Sequence, residues 1–363
     1  MITSLKKLST RIAIIHNIPK VFFKNIEDAT FFGDHLFPKW EKNVFARTDL
    51  RKKFELVYNK FKALTNKRDR DRIVHTFTSV NEIEKLCNNT PGITVYELKD
   101  LPSSIHEELD KLFEYLYKTA INYHGFESYV KDSVHESINR FNKKNELEVC
   151  PFCGLEGFLN LEGQARLALD HWLCRDLFPM SAVNFNNLIP IGPACNARPA
   201  KGSKNILIDN PTSKARVIAY YPYLQHSGIT TQFKFVNEPT ISTFGKIPDS
   251  DWNLTLSPVD PTENDIYTSW ISTMNIEPRY LDYIRINILN MWESRYKKFI
   301  EKHPRLKHAQ DIDELKNHLT EWQASFDIKN VPGSILYVSF IDFLVNHASD
   351  AYLFGLCENF KRR

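Results

Sequence analysis

The chain has 363 residues, 42% apolar and 25% charged, a balance that excludes a mainly disordered protein. Its length predicts two or three domains, and a net charge of only +3 means that any nucleic-acid surface must come from local clustering of bases. No stretch approaches the ~18 consecutive apolar residues of a membrane span. The basic start MITSLKKLST does not read as a signal peptide, and six scattered cysteines do not form a disulfide framework. A cytoplasmic protein without a membrane partner, its thiols either free or metal-bound, is the expectation.

From Asp49, placed as a cap, Leu50, Phe54, Val57, Phe61 and Leu64 recur at helical spacing. Residues 51–72 hold nine Lys/Arg against three Asp/Glu, a net +6, so one face of this helix is basic and suits either solvent or phosphate. Ser104 and Glu107 fit a capping box ahead of Leu109, Leu112, Phe113 and Leu116. Phe126, Val130, Val134, Ile138 and Phe141 carry a third helix to Asn145. The chain before Cys150 therefore reads as mainly helical.

Beyond Asn205 the stretches VIAYYPYL, TTQFKFV and DWNLTLSP read as short strands between Pro, Gly and Ser. Tyr221, Tyr223 and His226, and further on Arg279-Tyr280, suit either a strand core or stacking on bases. Helices resume from Thr262 as a cap, with a long segment around Tyr280 to Ile300 and two more near 311–326 and 334–348.

Between these flanks lies a dense run of chemistry. Cys150 and Cys153 have the C-x-x-C spacing that lets two thiolates face one tetrahedral metal. Then come Asp170-His171, Asn187-Leu188-Ile189-Pro190, Cys195-Asn196, and the bases Arg198, Lys201 and Lys204. In this order and spacing, from Cys150 to about Ile208, the motifs resemble the HNH endonucleases, whose fold is the ββα-metal finger. A second Asp-His pair, Asp34-His35, has no such company and reads as an ordinary surface or core pair.

The resemblance implies an α+β chain in three parts: a mainly helical region 1–145, the nuclease finger 146–210, and strands followed by helices 211–363. RLALDHW would form the first finger strand and NLIPIG the second, with a short helix starting near Cys195, Pro199 in its first turn and Gly202 ending it. By the same resemblance His171 is the general base, Asp170 and Asn196 are oxygen ligands of a catalytic Mg²⁺ or Mn²⁺, and Asn187 ties the loop to the hairpin and holds the histidine. Arg198, Lys201 and Lys204 would contact phosphate. The pattern departs from the family at Gly192, where a further cysteine is usual, so Cys150, Cys153 and Cys195 form an incomplete structural Zn²⁺ site, with Cys174, Cys87 or a distant histidine as candidates to close it.

The function so implied is metal-dependent hydrolysis of phosphodiesters in nucleic acid, with DNA as the expected substrate. Defence of a bacterium against foreign DNA, beside an ATPase partner, is the setting that this architecture suggests by analogy. Two rivals remain: a finger that binds nucleic acid or scaffolds a complex without cutting, and a nuclease directed at RNA.

Overall fold

The computed structural model describes residues 5–7, 10–157, 168–210, 212–239, 247–306 and 309–362. The chain is of the α+β class, mostly helical, with two small antiparallel sheets of two strands each among the described residues. It divides into two compact units that are not continuous in sequence. One, the hairpin unit, comprises Leu5–Asn145 with Gly163–Leu224; the other, the knuckle unit, comprises Met1–Ser4, Glu146–Glu162 and Gln225–Arg363. The Cys150–Cys153 turn and the Asp170-His171 strand thus belong to different units.

In the hairpin unit the core is phenylalanine-rich. The helix Leu50–Ala63 buries Leu50, Phe54, Val57, Tyr58 and Phe61 on one face, as the spacing predicts. Phe54 packs on Phe22 with ring centroids 4.7 Å apart, and Phe23 stacks on Phe77 at 4.6 Å. Aromatic area of this size supplies much of the apolar burial that holds a helical unit together.

Local hydrogen bonding breaks the predicted helices where periodicity alone would have continued them. The basic helix stops at Ala63, and a second, Lys67–Val80, starts behind Asn66, whose side chain accepts from the Arg68 amide at 3.0 Å. Arg70 donates to the carbonyl of Leu64 that the break exposes. Asp49 stands at the first helix's N-cap position but takes the Lys52 ammonium at 2.8 Å instead of capping. The Ser104/Glu107 box does not form: residues Ser103–Ile105 make a 3₁₀ turn, the helix is His106–Lys118, and a capping box closes earlier, between Glu97 and Asp100. Glu107 pairs with Lys111 one turn along.

The third pattern is also two helices, His124–Val130 and Val134–Asn145, parted by Lys131 in the left-handed region at φ 52°. Beside that break, buried Asp132 accepts from Thr10 Oγ1 at 2.6 Å, the Arg11 amide at 3.0 Å and Arg140 at 2.5 Å. One carboxylate thereby fixes the turn to a backbone amide 121 residues earlier.

His16 lies in this unit with its imidazole stacked on Phe77, and burial, reinforced by the charge of Lys20, lowers its pKa from 6.5 to about 4. A depressed histidine pKa contributes stability above the unfolded value that is lost as pH falls from about 6.5 through about 4, because the unfolded chain takes up the proton first. The loss should approach about 3 kcal/mol. His16→Phe keeps the ring and is expected to flatten the difference; acid titrations of stability with the same slope in both proteins would contradict it.

In the knuckle unit, β3 (Ile229–Phe235) pairs with β4 (Trp252–Pro258), with Phe235 opposite Trp252 and Ile229 opposite Pro258. Alternation puts Phe233 and Phe235 on the buried face, against Phe340 and Phe343 at 5.2 and 5.3 Å. The helix carrying those two rings, Ser334–Asn346, is buried on most sides and is the centre of the unit. Trp292 packs on Phe340 of this helix, and the helix's Tyr337 stacks on Phe326.

Three expectations for this half of the chain are corrected. VIAYYPYL is not a strand, because the Tyr221 and Tyr223 hydroxyls are drawn to carbonyls of the finger hairpin. Asp260, not Thr262, is the cap, accepting from the Thr262 amide at 2.9 Å ahead of the helix Asn264–Met274. The long segment around Tyr280 is Ile276–Tyr283, a π-helical stretch Ile284–Leu289, and Trp292–Lys302. A last helix, Asp350–Arg362, was not expected from the spacing of apolar residues.

Candidate functional site

Two antiparallel strands, β1 (Ala168–His171) and β2 (Leu188–Ile191), form the finger hairpin, with Asp170 opposite Ile189 and His171 opposite Leu188. The part of RLALDHW at 166–167 lies outside the described residues. A four-residue helix, Pro193–Asn196, follows. It starts two residues before Cys195, so Pro193 and not Pro199 is the first-turn proline, and it ends at Asn196, well ahead of Gly202.

The helical region holds the hairpin's loop in place. Asn184 donates to the carbonyl and side-chain oxygen of Asn81, both at 3.0 Å, at the end of the helix Lys67–Val80. The Leu98 amide donates to Leu177 O at 2.9 Å. Asn187, fully buried, accepts from the Leu173 amide at 2.6 Å and donates to Leu173 O at 3.1 Å and Ser181 Oγ at 2.9 Å. Its main-chain oxygen accepts from Trp172 at 2.7 Å. All of this asparagine's polar groups are spent on closing the loop, which sets the position of the strand end carrying His171.

His171 is 7% exposed. Its Nε2 lies 3.0 Å from the Ala182 carbonyl oxygen. A carbonyl only accepts, so Nε2 carries the hydrogen and Nδ1 keeps a lone pair. Burial lowers the pKa to about 3, a shift that the Ala182 hydrogen bond opposes and the charges of Lys201 and Arg175 assist; the ring is therefore neutral at pH 7. Tyr117 packs edge-on against it with centroids 4.3 Å apart and donates its hydroxyl to Leu169 O.

Asp170 is held between two side chains from the segment after β2. With its amide nitrogen toward the carboxylate, Asn196 donates at 2.8 Å to Oδ1 and 3.2 Å to Oδ2. Lys201 Nζ stands 2.6 Å from Oδ2, and this lysine side chain is only 1% exposed. Burial pushes the Asp170 pKa up, with Lys201 opposing it. Arg198 and Lys204 lie beyond the short helix, Arg198 exposed and Lys204 less buried than Lys201. Of the three bases expected at phosphate, Lys201 is thus the one turned inward.

A carboxylate oxygen and an amide oxygen are hard donors of the kind Mg²⁺ or Mn²⁺ takes, whereas the Lys201 ammonium competes with a cation for Asp170. Turned by 180°, the same amide faces the carboxylate with its oxygen at the same 2.8 Å separation. Neighbouring oxygens bound at ~2.1 Å around an octahedral cation stand about 3 Å apart. Consecutive residues of a regular strand point to opposite sides. At this strand end Lys201 nevertheless acts on both, pairing with Asp170 and disfavouring the charged form of His171.

In the knuckle unit the turn after Val149 is closed by Cys150 N to Glu156 O and Gly154 N to Cys150 O, both 2.8 Å. Gly154 has φ 65°, which a glycine adopts without strain. Trp270 donates to Phe152 O at 3.0 Å and Tyr280 to Cys153 O at 2.9 Å, fastening the turn to two helices of its own unit. The Leu155 amide points at Cys153 Sγ, 3.4 Å away, a donor aimed at sulfur. Cys150 Sγ, Cys153 Sγ and a Glu156 carboxylate oxygen lie within 4.8 Å of one another, and such a group could hold a metal ion such as zinc.

Glu156 was not among the ligands expected from sequence. The signal was present as C-x-x-C-x-x-E, three donors at three-residue intervals. Cys195, the further thiol of the sequence pattern, is fully buried on the short helix of the hairpin unit. Cys87 and Cys174 are buried in the hairpin unit as well, and burial pushes the Cys87 thiol up to about 12, which keeps it protonated. Tyr221 and Tyr223 are structural: their hydroxyls donate to Asn186 O at 2.9 Å and Leu188 O at 3.0 Å. Asp34 pairs with Lys42 and Arg51, as a surface residue would.

No family model, curated protein or solved structure matches the chain. No helix among the described residues is long and apolar enough to cross a membrane.

Proposed function

We propose that the protein is an HNH-type endonuclease that hydrolyses phosphodiester bonds of DNA with Mg²⁺ or Mn²⁺. The observation that carries the reading is the meeting of Asp170 and Asn196 at one end of the hairpin, with a neutral His171 beside them on the same strand as Asp170. Asp170 and the Asn196 side-chain oxygen would hold the ion. When bound, it supplies positive charge for the phosphorane and the departing oxygen.

His171 is then the base. A water oxygen bonds to phosphorus as the ester P–O bond breaks, and the proton that the water gives up goes to Nδ1. The Nε2–H bond to Ala182 O keeps the ring in the tautomer this requires. A depressed pKa makes imidazole a weak base, and the negative phosphate of a bound substrate would act against that depression. Asn187 acts as a positioning residue through the loop it closes. In the knuckle unit we assign a structural Zn²⁺ to Cys150, Cys153 and Glu156.

The direct test offers purified protein supercoiled plasmid, linear duplex, single-stranded DNA and RNA, with EDTA, Mg²⁺ or Mn²⁺. Cutting of DNA that EDTA abolishes and Asp170→Ala removes is expected. Binding without cleavage in every condition would leave a nucleic-acid-binding finger, and cleavage of RNA alone would move the substrate class.

The basic helix is a weaker candidate for the DNA surface than its net charge of +6 suggests. Arg51 is committed to Glu41 and Asp34, Lys52 to Asp49, Lys60 to Glu108 at 3.6 Å, and Lys67 to Asp71 and Glu27. Arg70 and Arg72 are engaged by backbone carbonyls. For duplex DNA, every phosphate that a base no longer neutralises shallows a plot of log affinity against log salt by about 0.9. Arg198→Ala with Lys204→Ala is expected to lower the slope by roughly 1.8, and Lys53→Glu, Lys60→Glu, Arg68→Glu together by no more than about 0.9. The reverse order, measured by salt titration of duplex binding, would place the DNA on the helix.

A further inference from the structure

We infer that Lys201 is an internal antagonist of the divalent cation at Asp170, and that the phosphate of the substrate relieves the antagonism. The inference rests on the nuclease reading and adds a means by which nucleic acid switches on its own metal site.

A lysine side chain 1% exposed is unusual, because a long charged side chain is seldom fully buried without a partner. Here the partner is a carboxylate expected to hold metal: Nζ stands 2.6 Å from Asp170 Oδ2, on an oxygen that a cation would need. The second candidate ligand, Asn196, can turn either end of its amide to the same carboxylate. With nitrogen inward it joins Lys201 as a second donor to Asp170; with oxygen inward it becomes an acceptor that a cation must bridge. The two arrangements exclude each other, and the ammonium favours the first.

Charge gives the same answer. Lys201 already neutralises the single negative charge of Asp170, so a divalent ion on that carboxylate would meet a charge already compensated by the ammonium. Like charges at such separations in a poorly solvated site repel strongly. The lysine is tethered close to both ligands, its amide donating to Cys195 O at 3.2 Å, five residues after Asn196. Its four-carbon stem is flexible. A phosphodiester arriving at the site offers the ammonium another anion, and Asp170 is then available to the metal. Metal and nucleic acid should therefore bind with positive coupling, each raising the affinity of the other by the same factor.

The test measures Mn²⁺ binding by calorimetry and by the loss of its free EPR signal, on the full chain, alone and with a phosphorothioate duplex that resists cleavage. Lys201→Met removes the charge at nearly constant volume and is expected to bind Mn²⁺ at least about tenfold more tightly than the wild type in the absence of DNA. The gain in Mn²⁺ affinity on adding duplex should be large in the wild type and small in Lys201→Met. Lys201→Arg keeps the charge and should stay weak for metal without DNA, while Asp170→Ala should lose this binding in every background. Equal Mn²⁺ affinity of wild type and a folded Lys201→Met overturns the inference. If Lys201→Met does not fold, the wild type still decides: affinity unchanged by duplex overturns it equally. Failure of the nuclease reading looks different, as no cleavage by a wild type whose metal and duplex binding are coupled.

Discussion

His171→Ala is expected to lower the cleavage rate by about 10² to 10⁴ while nucleic-acid affinity changes by no more than a few fold. The imidazole is 7% exposed and neutral, so it adds little to phosphate binding, and its loss should fall on the chemical step. Truncation also leaves the Ala182 carbonyl without its donor in a buried place, at a cost of about 1 to 3 kcal/mol. For that reason His171→Gln is the better discriminator, since a glutamine amide can donate to Ala182 O and yet cannot take up a proton at neutral pH. A glutamine variant that melts near the wild type, binds duplex and does not cut would assign the base. One that cuts at the wild-type rate would remove His171 from the mechanism.

Much of the candidate site's geometry was legible in the sequence because it is local. Asp170-His171 and Cys195-Asn196 are adjacent pairs, and the hairpin that joins them is encoded by two short apolar stretches with a loop that Asn187 closes on itself. Lys201 was legible as a base near the site and illegible as a partner of Asp170, because nothing in spacing tells whether a lysine after a short helix turns outward or back. Glu156 was missed for a related reason: a glutamate near a C-x-x-C turn is commonplace, and only the turn closed by Cys150 and Glu156 brings its carboxylate to the thiols.

The fold shows the same division. Apolar spacing located the buried faces of the helices Leu50–Ala63 and His106–Lys118, since that periodicity is what burial acts on. It failed at the ends, where single polar groups decide: Asn66 starts a new helix, Lys131 in the left-handed region ends one, and Asp260 caps where Thr262 was expected. The apolar segment around Tyr221 has the alternation of a strand, yet its hydroxyls find carbonyls on a hairpin 35 residues earlier. Such long-range partners carry no local signature.

The Cys150–Cys153 turn should prove to be a zinc site whose removal loosens the knuckle unit. Thiolates and a carboxylate form a borderline-soft donor set suited to Zn²⁺, unlike the oxygen donors proposed for the cation at Asp170. A site filled at a thousandfold excess of metal over its dissociation constant stabilises the folded form by about 4 kcal/mol. In a domain of this size that corresponds to a melting temperature lower by roughly 8 to 16 °C once the metal is stripped. Elemental analysis of protein washed free of loose metal should therefore find near-stoichiometric zinc, and Cys150→Ser should lose both the zinc and the stability. Glu156→Gln separates the ligand sets: an amide binds zinc far less well than a carboxylate, so zinc affinity should fall in this variant if Glu156 is a ligand and stay unchanged if the site is closed by other groups. Protein that contains no zinc, with a melting temperature indifferent to chelator, would instead make the three cysteines small buried apolar side chains and leave the turn to the hydrogen bonds from Trp270 and Tyr280.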